Sequence, residues 1–411
     1  MILRFLYPLL TMLLSISIGL CIYSNVSASA SMPSTPSPHH KNLPEELASW
    51  IDTRAAERLA EEKSPGISLA VVIDGKLAFQ KGYGVNSIGD KTAPPLDTKY
   101  QIASVTKTFV GTLAAKMAAD GRVDLDVPVT DYVPDLKFHP SAQNAPISLR
   151  LLLSHQAGFA RRPAAPAGRK LDGLPEGFDV WISPPLSVEG LLKAIATTPN
   201  IHPVGERYAY SGLGTSLAAY ILAKAGGYEI FEDALTAEIL KPLGMKNTFV
   251  RTSSERDAGM ATPYAFTNNK YNKMCPLGTE KYYQILPITF GTAVGSSGLT
   301  STTGDLALYL SAVMAENEVI TPEAKDILFS PNVEFLYTDE LVYQVGLAWR
   351  MGHFGSYGLV YQHTGYNVGH HASILVSDDH NIGVIALTNG SYLANRRLAA
   401  DVMLKLLQHR H

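Results

Sequence analysis

The stretch Gln101-Ile-Ala-Ser-Val-Thr-Lys-Thr-Phe-Val110 holds the only Ser-x-x-Lys in the chain. A helical pattern runs on from it. Val105, Phe109, Leu113 and Met117 recur at steps of four, and Asp120-Gly121 supplies a stop. Ser104 therefore sits at or near a helix N-terminus, with Lys107 one turn on along the same face. A serine hydroxyl becomes a useful nucleophile when a neighbour takes its proton. A lysine at this spacing can do so where burial favours its neutral amine. An isolated Ser-x-x-Lys reads more simply as an N-cap serine beside a surface lysine, so the rest of the chain has to decide.

The bulk properties exclude more than they assign. The chain has 411 residues, 46% of them hydrophobic and 17% charged, with a formal net charge of −3. That is an ordinary globular composition with ample material for a core. Without a long basic run, nothing invites nucleic acid. Arg4, the mostly apolar run from Phe5 to Tyr23 and Ala28-Ser29-Ala30 read as a signal peptide over residues 1–30, with an uncleaved anchor as the alternative. The body is expected to be exported, with no stable membrane span after cleavage. Residues 31–43, rich in Ser and Pro, read as a linker. Cleavage leaves Cys275 as the one cysteine, a structural residue or a free thiol.

Taken in order, the remaining chain changes its period twice. Residues 44–62 carry a helical stripe on Leu47, Trp50, Ile51, Ala55 and Leu59. Gly66-Ile-Ser-Leu-Ala-Val-Val-Ile, then Asp74-Gly75, then residues 76–83 read as a hairpin leading up to Ser104. The middle is mostly helix and loop, with helices expected over 147–158, 188–196, 213–225, 230–240 and 300–315. Residues 160–187, rich in Pro, Gly, Arg and Ala, form a long irregular segment. From Tyr343 the period is that of strands. Val345, Leu347, Trp349 and Met351 alternate, residues 360–363 stay extended, and Ala372, Ile374 and Val376 pair back through Asp378-Asp-His-Asn381 with 382–388. Residues 393–407 close the chain as a helix. This order implies one antiparallel sheet built from both ends of the chain, with a helical region inserted between them.

Other hydrolytic solutions are missing. There is no G-x-S-x-G elbow and no H-E-x-x-H, and His370-His371 would point to opposite faces of a strand, so no metal and no cofactor is expected. His155 is read as a structural histidine bonding local backbone in preference to a catalytic one. Arg161, Arg162 and Arg169 are read as a solvated loop face in preference to an acidic-substrate site. Two further pieces carry chemistry. Tyr210, in Tyr210-Ser-Gly212, sits just before a helix, where a phenol can reach a cleft. His363-Thr-Gly365 is expected to end a strand, with Gly365 admitting a substrate backbone and the Tyr366 N–H aimed at a carbonyl oxygen.

Ser104-Val-Thr-Lys107, Tyr210-Ser-Gly212 and His363-Thr-Gly365, in that order, resemble the three motifs of the penicillin-recognising serine hydrolases. That family includes class C β-lactamases, D-alanyl-D-alanine carboxypeptidases, D-aminopeptidases and related esterases. Residues 147–158, Pro242-Leu-Gly-Met245 and Gly298-Leu-Thr-Ser-Thr-Thr-Gly-Asp305 fit the resemblance, which covers roughly Gly66 to Asn389. It implies an α+β, β-lactamase-like fold, an antiparallel sheet flanked by helices with a large mainly helical insertion. The expected domain is 44–411, with 44–103 and about 290–411 as the α/β part and about 104–289 as the helical part. It also implies roles. Ser104 attacks an acyl carbon, Lys107 takes or holds the proton, and Tyr210 acts as general acid or base. The Ser104 and Tyr366 N–H groups form the oxyanion hole, and His363 and Thr364 bind a polar or anionic substrate end.

Two positions depart from the family pattern: Gly212 stands where Asn is common, and His363 where Lys is common. An ordinary histidine pKa of about 6.5 would make turnover of carboxylate-bearing substrates follow His363 ionisation. The expected substrates are small molecules or peptides, such as D-alanyl-D-alanine termini of cell-wall peptides. A β-lactamase or small-ester esterase is the alternative within enzymes. A non-catalytic cell-wall or ligand-binding protein that kept the fold is the alternative outside them.

Overall fold

The computed structural model describes residues 43–142, 145–161, 169–170, 181–182, 187–266, 282–291, 295–338 and 341–410. The signal-peptide reading of residues 1–30, the linker but for Leu43, Cys275, Arg162 and most of the 160–187 segment lie outside them. The elements run α1 (Glu45–Glu61), β1 (Gly66–Ile73), β2 (Lys76–Gly84), β3 (Tyr100–Gln101), α2 (Thr106–Ala119), α3 (Leu149–Leu153), β4 (Arg169–Lys170), β5 (Trp181–Ile182), α4 (Val188–Thr197), α5 (Gly212–Ala225) and α6 (Phe231–Leu235). They continue with β6 (Phe249–Val250), β7 (Tyr264–Phe266), β8 (Tyr282–Gln284), β9 (Leu299–Ser301), α7 (Thr303–Met314), α8 (Pro322–Phe329), β10 (Val333–Thr338), β11 (Leu341–Val345), β12 (Arg350–His353), β13 (Leu359–Asn367), β14 (His370–Ser377), β15 (Ile382–Thr388) and α9 (Tyr392–Arg410).

Eight strands form one sheet in the order β10-β11-β12-β13-β14-β15-β1-β2. Every neighbouring pair is antiparallel, and β1 closes on β15 from Ile67↔Thr388 to Ile73↔Ile382. The two ends of the chain thus share one sheet, and helices cover both of its faces. Ile67, Leu69 and Val71 of β1 join Val384 and Ala386 of β15 in a core with α1 and α9. The alternate residues Ala70 and Val72 join Ile385, Leu387, Ile374 and Val376 in a second core with α2, α5 and α7. The period of two sends each strand into both cores, so β14 and β15 are buried along their whole length. One polar group that β14 turns inward is paired across this interface, where Asn395 Nδ2 of α9 donates to Ser373 Oγ at 2.8 Å.

The alternation of Val345, Leu347, Trp349 and Met351 suggests one strand, but the structure has two. β11 ends at Val345, the chain bends through Gly346–Trp349, and β12 begins at Arg350. Ala348 is left-handed at φ 64°. Its N–H donates to Leu153 O at 2.9 Å, satisfying a carbonyl at the end of α3, and Leu347 N–H donates to Leu328 O at the end of α8. Leu347 and Trp349 are fully buried in this bend, which explains why their spacing mimics a strand. Likewise α3 ends at Leu153 and not near Gly158, and Thr300 and Ser301, read as the start of a helix, belong to β9, with α7 beginning only at Thr303. The bend also presses on α2. A Cβ added to Gly111 would lie 2.1 Å from Leu347 O.

Helix propensity alone favours Ala over Gly inside α2 by about 1 kcal/mol. The contact with Leu347 O reverses that sign, because overpacking costs about 1–3 kcal/mol where backbone has to move. Gly111→Ala is therefore expected to destabilise the protein by about 2 kcal/mol in urea unfolding, where a gain would show the bend to be free to retreat.

Candidate active site

Ser104 enters α2 through a short 3-10 turn, Ala103–Val105. Ala103, just before it, is buried and left-handed at φ 47°. A non-glycine residue there stores strain of the kind that collects at functional sites. Two neighbours over-determine the turn. Ile102 N–H donates to Leu299 O of β9 at 2.9 Å, and Gly365 of β13 leaves no room for a Cβ, which would stand 2.1 Å from Ile102 O. What Gly365 admits is therefore the chain's own backbone, carrying the serine. His363-Thr-Gly365 also lies inside β13, which runs on to Asn367, and does not end a strand.

Lys107 is 2% exposed. Its Nζ donates to Ser296 O at 2.6 Å and to Ser104 Oγ at 3.2 Å. Burial pushes the ammonium down, the charge and hydrogen bond of Tyr210 work against that, and Arg350 and Arg161 add to the lowering. Tyr210, half-buried in the cleft, has Lys107 Nζ 5.0 Å, Arg350 Cζ 5.3 Å and Arg161 Cζ 5.7 Å from its ring centre. Burial would raise the phenol, but Lys107 and Arg350, with hydrogen bonds from Ser104 and Lys107, outweigh it and hold Tyr210 below its ordinary value.

The third motif lies across the cleft, with the His363 and Tyr210 ring centres 6.4 Å apart. His363 is 1% exposed, and its Nδ1 lies 2.9 Å from Thr364 O. A carbonyl only accepts, so Nδ1 carries the proton and Nε2 is the lone-pair nitrogen, buried and without a hydrogen-bond partner. Burial, then Arg350 and Lys107, hold this imidazole well below its ordinary value. The expected switch near pH 6.5 is thereby corrected, since His363 stays neutral through the physiological range. Thr364 is half-buried beside it, and Tyr366 is exposed.

Ser104, Lys107, Tyr210 and His363 therefore converge. Gly212 opens α5 beside them, its N–H on Arg161 O at 3.2 Å, and a Cβ there would meet Ser296 Oγ at 3.4 Å. Ser296 thus occupies the space next to the missing side chain and supplies the carbonyl that holds Lys107. Sequence reading did not pick out Ser296 or Arg350. The signal for Arg350 was a lone cation in an otherwise apolar run, and register places it opposite Gln362, next to His363. His155 packs under the site, but the backbone its ring bonds is not the local one its sequence reading expects: Nδ1 accepts from the N–H of Ser211, 56 residues further on, at 3.2 Å.

The model of the family described as Beta-lactamase matches residues 51–408. The chain belongs to the β-lactamase family. It is 26% identical over 300 residues to the Escherichia coli K12 D-alanyl-D-alanine-carboxypeptidase/endopeptidase AmpH, a match covering 72% of this chain and 69% of that one. It is 28% identical over 214 residues to protein flp of Staphylococcus aureus MW2, covering 52% of this chain, and spans only 40% of that protein's length. The penicillin-binding protein homologue from Pyrococcus abyssi has the same fold, with a TM-score of 0.71 at 24% identity over 88% of this chain and 77% of that one.

The site makes a direct pH prediction. A histidine held below its ordinary value is neutral above that value and takes its proton only on acidification beyond it. In the resting enzyme the ring resonances of His363 are expected not to titrate between pH 5.5 and 8 by nitrogen-15 NMR. A midpoint near 6.5 would return His363 to the role of a charge switch.

Proposed function

We propose that this family member hydrolyses peptides ending in a D-amino acid, with D-alanyl-D-alanine as the type substrate, through an acyl-enzyme on Ser104. Lys107 gives its hydrogens to Ser296 O and to Ser104 Oγ, so the serine's own proton is left to point at Tyr210. Tyr210, poised toward phenolate by two cations, is the base that takes it. As the Ser104 Oγ–C bond forms, the carbonyl becomes an oxyanion. The N–H groups of Ser104 and Tyr366 are the proposed donors, each worth about 3 kcal/mol. The C–N bond then breaks, and the proton passes from Tyr210 to the leaving amine. In the second half Tyr210 takes a proton from the water whose oxygen adds to the acyl carbon, the Oγ–C bond breaks, and Tyr210 passes that proton to Ser104 Oγ.

Arg350 carries the choice of substrate. A neutral His363 cannot pair a carboxylate, yet Arg350 stands beside both His363 and Tyr210 and is charged at every relevant pH. We assign the terminal carboxylate to Arg350, with Thr364 beside it and the His363 Nε2 accepting a substrate N–H. β12 pairs with β13 only as far as Gln362, so past that point β12 no longer covers the outer edge of β13, whose Gly365 packs face-on against the Ser104 turn. An extended peptide can add to such an edge. Gly212 offers no amide to an acylamino group, which favours small or D-amino-acyl groups there. Export rests on the sequence pattern of residues 1–30. Among the described residues no helix is long and apolar enough to cross a membrane.

Two experiments test this reading. A fluorescent penicillin should label the wild type and not Ser104→Ala, and the wild type should release D-alanine from a D-alanyl-D-alanine peptide. Tyr210→Phe should cost about a thousandfold in acylation rate. Failure of both label and turnover in the wild type leaves the non-catalytic binding protein as the better account. Rapid loss of label with cephalosporin hydrolysis selects the β-lactamase. Arg350→Met should raise KM for the peptide about 10- to 100-fold, as expected for losing a charged hydrogen bond of about 1.5–3 kcal/mol, while leaving an uncharged ester nearly unaffected. Equal losses on both substrates would remove Arg350 from carboxylate binding.

A further inference from the structure

His155 occupies a position that the fold reserves for another kind of residue. Helix α3 ends in a Schellman turn, in which Gln156 N–H donates to Leu151 O at 2.8 Å and His155 N–H donates to Leu152 O at 3.4 Å. His155 is the left-handed residue of that turn, at φ 61°. Glycine or asparagine is normal there, because a Cβ is strained at positive φ. The chain uses glycine three residues on, where Gly158 has φ 73°. A buried histidine at such a site needs a compensating gain.

The gain lies in the two peptide groups on either side of Tyr210. Ala209 N–H donates to the His155 carbonyl at 2.7 Å, and Ser211 N–H donates to the His155 ring at Nδ1, 3.2 Å away. Both N–H groups flanking Tyr210 thus end on one residue. The left-handed conformation is what lets the backbone oxygen and the ring of His155 serve the same segment. The ring also packs 4.6 Å from that of Tyr210, tilted by 50°. Beyond this clamp, Ser211 Oγ accepts from Gly214 N–H at 3.0 Å and donates to Ala160 O at 2.8 Å, which starts α5.

We propose that His155 is the positioning residue for Tyr210, joining the end of α3 to the start of α5 so that the phenol is held against Ser104, Lys107 and Arg350. The role requires a ring that accepts at Nδ1, hence an unprotonated one. Burial, then Lys107 and Arg350, hold His155 well below its ordinary value and keep that acceptor available. The groups facing it are Tyr208 and Tyr210 from the segment before α5, Lys107 from α2, Arg350 from β12 and His363 from β13.

This inference rests on the reading of Tyr210 as the proton acceptor, and its test separates the two. The wild type, His155→Gly and His155→Asn would each carry 3-fluorotyrosine at position 210, titrated by fluorine NMR, and each would be acylated with a fluorescent penicillin and with p-nitrophenyl acetate. Glycine suits the left-handed turn but has no acceptor. Asparagine suits it and places an oxygen where Nδ1 stood. In His155→Gly the phenol titration should move up toward that of free fluorotyrosine, and kcat should fall about 100-fold with KM within about twofold, as for a catalytic group displaced by about 1 Å. His155→Asn should restore the wild-type titration and most of the rate.

If His155 only ended the helix, His155→Gly would titrate and acylate like the wild type, and that result overturns the proposal. So does an asparagine variant, folded by near-ultraviolet circular dichroism, that matches the glycine one. Should His155→Gly not fold, His155→Leu fills the ring's volume without an acceptor and takes its place. Should the wild type acylate with neither probe, the hydrolase reading fails, and the fluorine titrations alone decide the role of His155.

Discussion

A lysine with almost no contact with water has to be given hydrogen bonds by the protein, and in this molecule Lys107 dictates where they come from. One acceptor is Ser296 O and the other is Ser104 Oγ, so the ammonium bridges the start of α2 and the segment entering β9. β9 in turn holds Ile102, and Leu299 N–H donates to Thr106 Oγ1 at 3.1 Å, tying the same segment to the first turn of α2. The nucleophile's turn is thus braced from one side by β9 and from the other by Gly365 of β13. The left-handed Ala103 persists because both braces fix it. A mobile lysine would forfeit the geometry on which the serine depends.

The braces come from far apart in the chain, and the large sheet brings them together. β13 reaches the Ser104 turn because β14 and β15 carry it, and β15 is fixed by pairing with β1. The closing β1–β15 ladder therefore does more than seal the core between α9 and α7. It sets the distance between the motif near the chain's start and the one near its end.

Much of this was legible in the sequence, for physical reasons that differ by element. The β1–β2 hairpin was announced by Asp74-Gly75, and α2 by its four-residue repeat, since local chemistry decides both. β10 and α8 had no such signal, and the Gly346–Trp349 bend was disguised. Leu347 and Trp349 point into the helical core because the bend is buried, and burial at alternate positions looks the same in a bend as in a strand. In the site, Ser104, Lys107, Tyr210 and His363 stood out because three short motifs, each weak alone, follow one another in the order of the family they resemble. Ser296 contributes only a carbonyl, which no sequence displays. The state of His363 was misjudged for a related reason. Its pKa is set by burial and by Arg350, and neither can be read from His363-Thr-Gly365 alone.

The positive charge has one further consequence. Lys107 and Arg350 act on Tyr210 and also on His155 and His363. One field therefore does two jobs, favouring an ionised phenol and opposing ionised imidazoles. Those effects support each other only if the histidines serve as neutral hydrogen-bonding groups, one beneath Tyr210 and one at the substrate edge. A lysine at position 363 would add a further cation within reach of the phenol and would draw a carboxylate toward β13. With histidine there, that attraction is left to Arg350 on the neighbouring strand. Under the proposed assignment of the carboxylate to Arg350, histidine in place of the family's lysine would put the anion site one strand away and keep the total charge around Tyr210 lower.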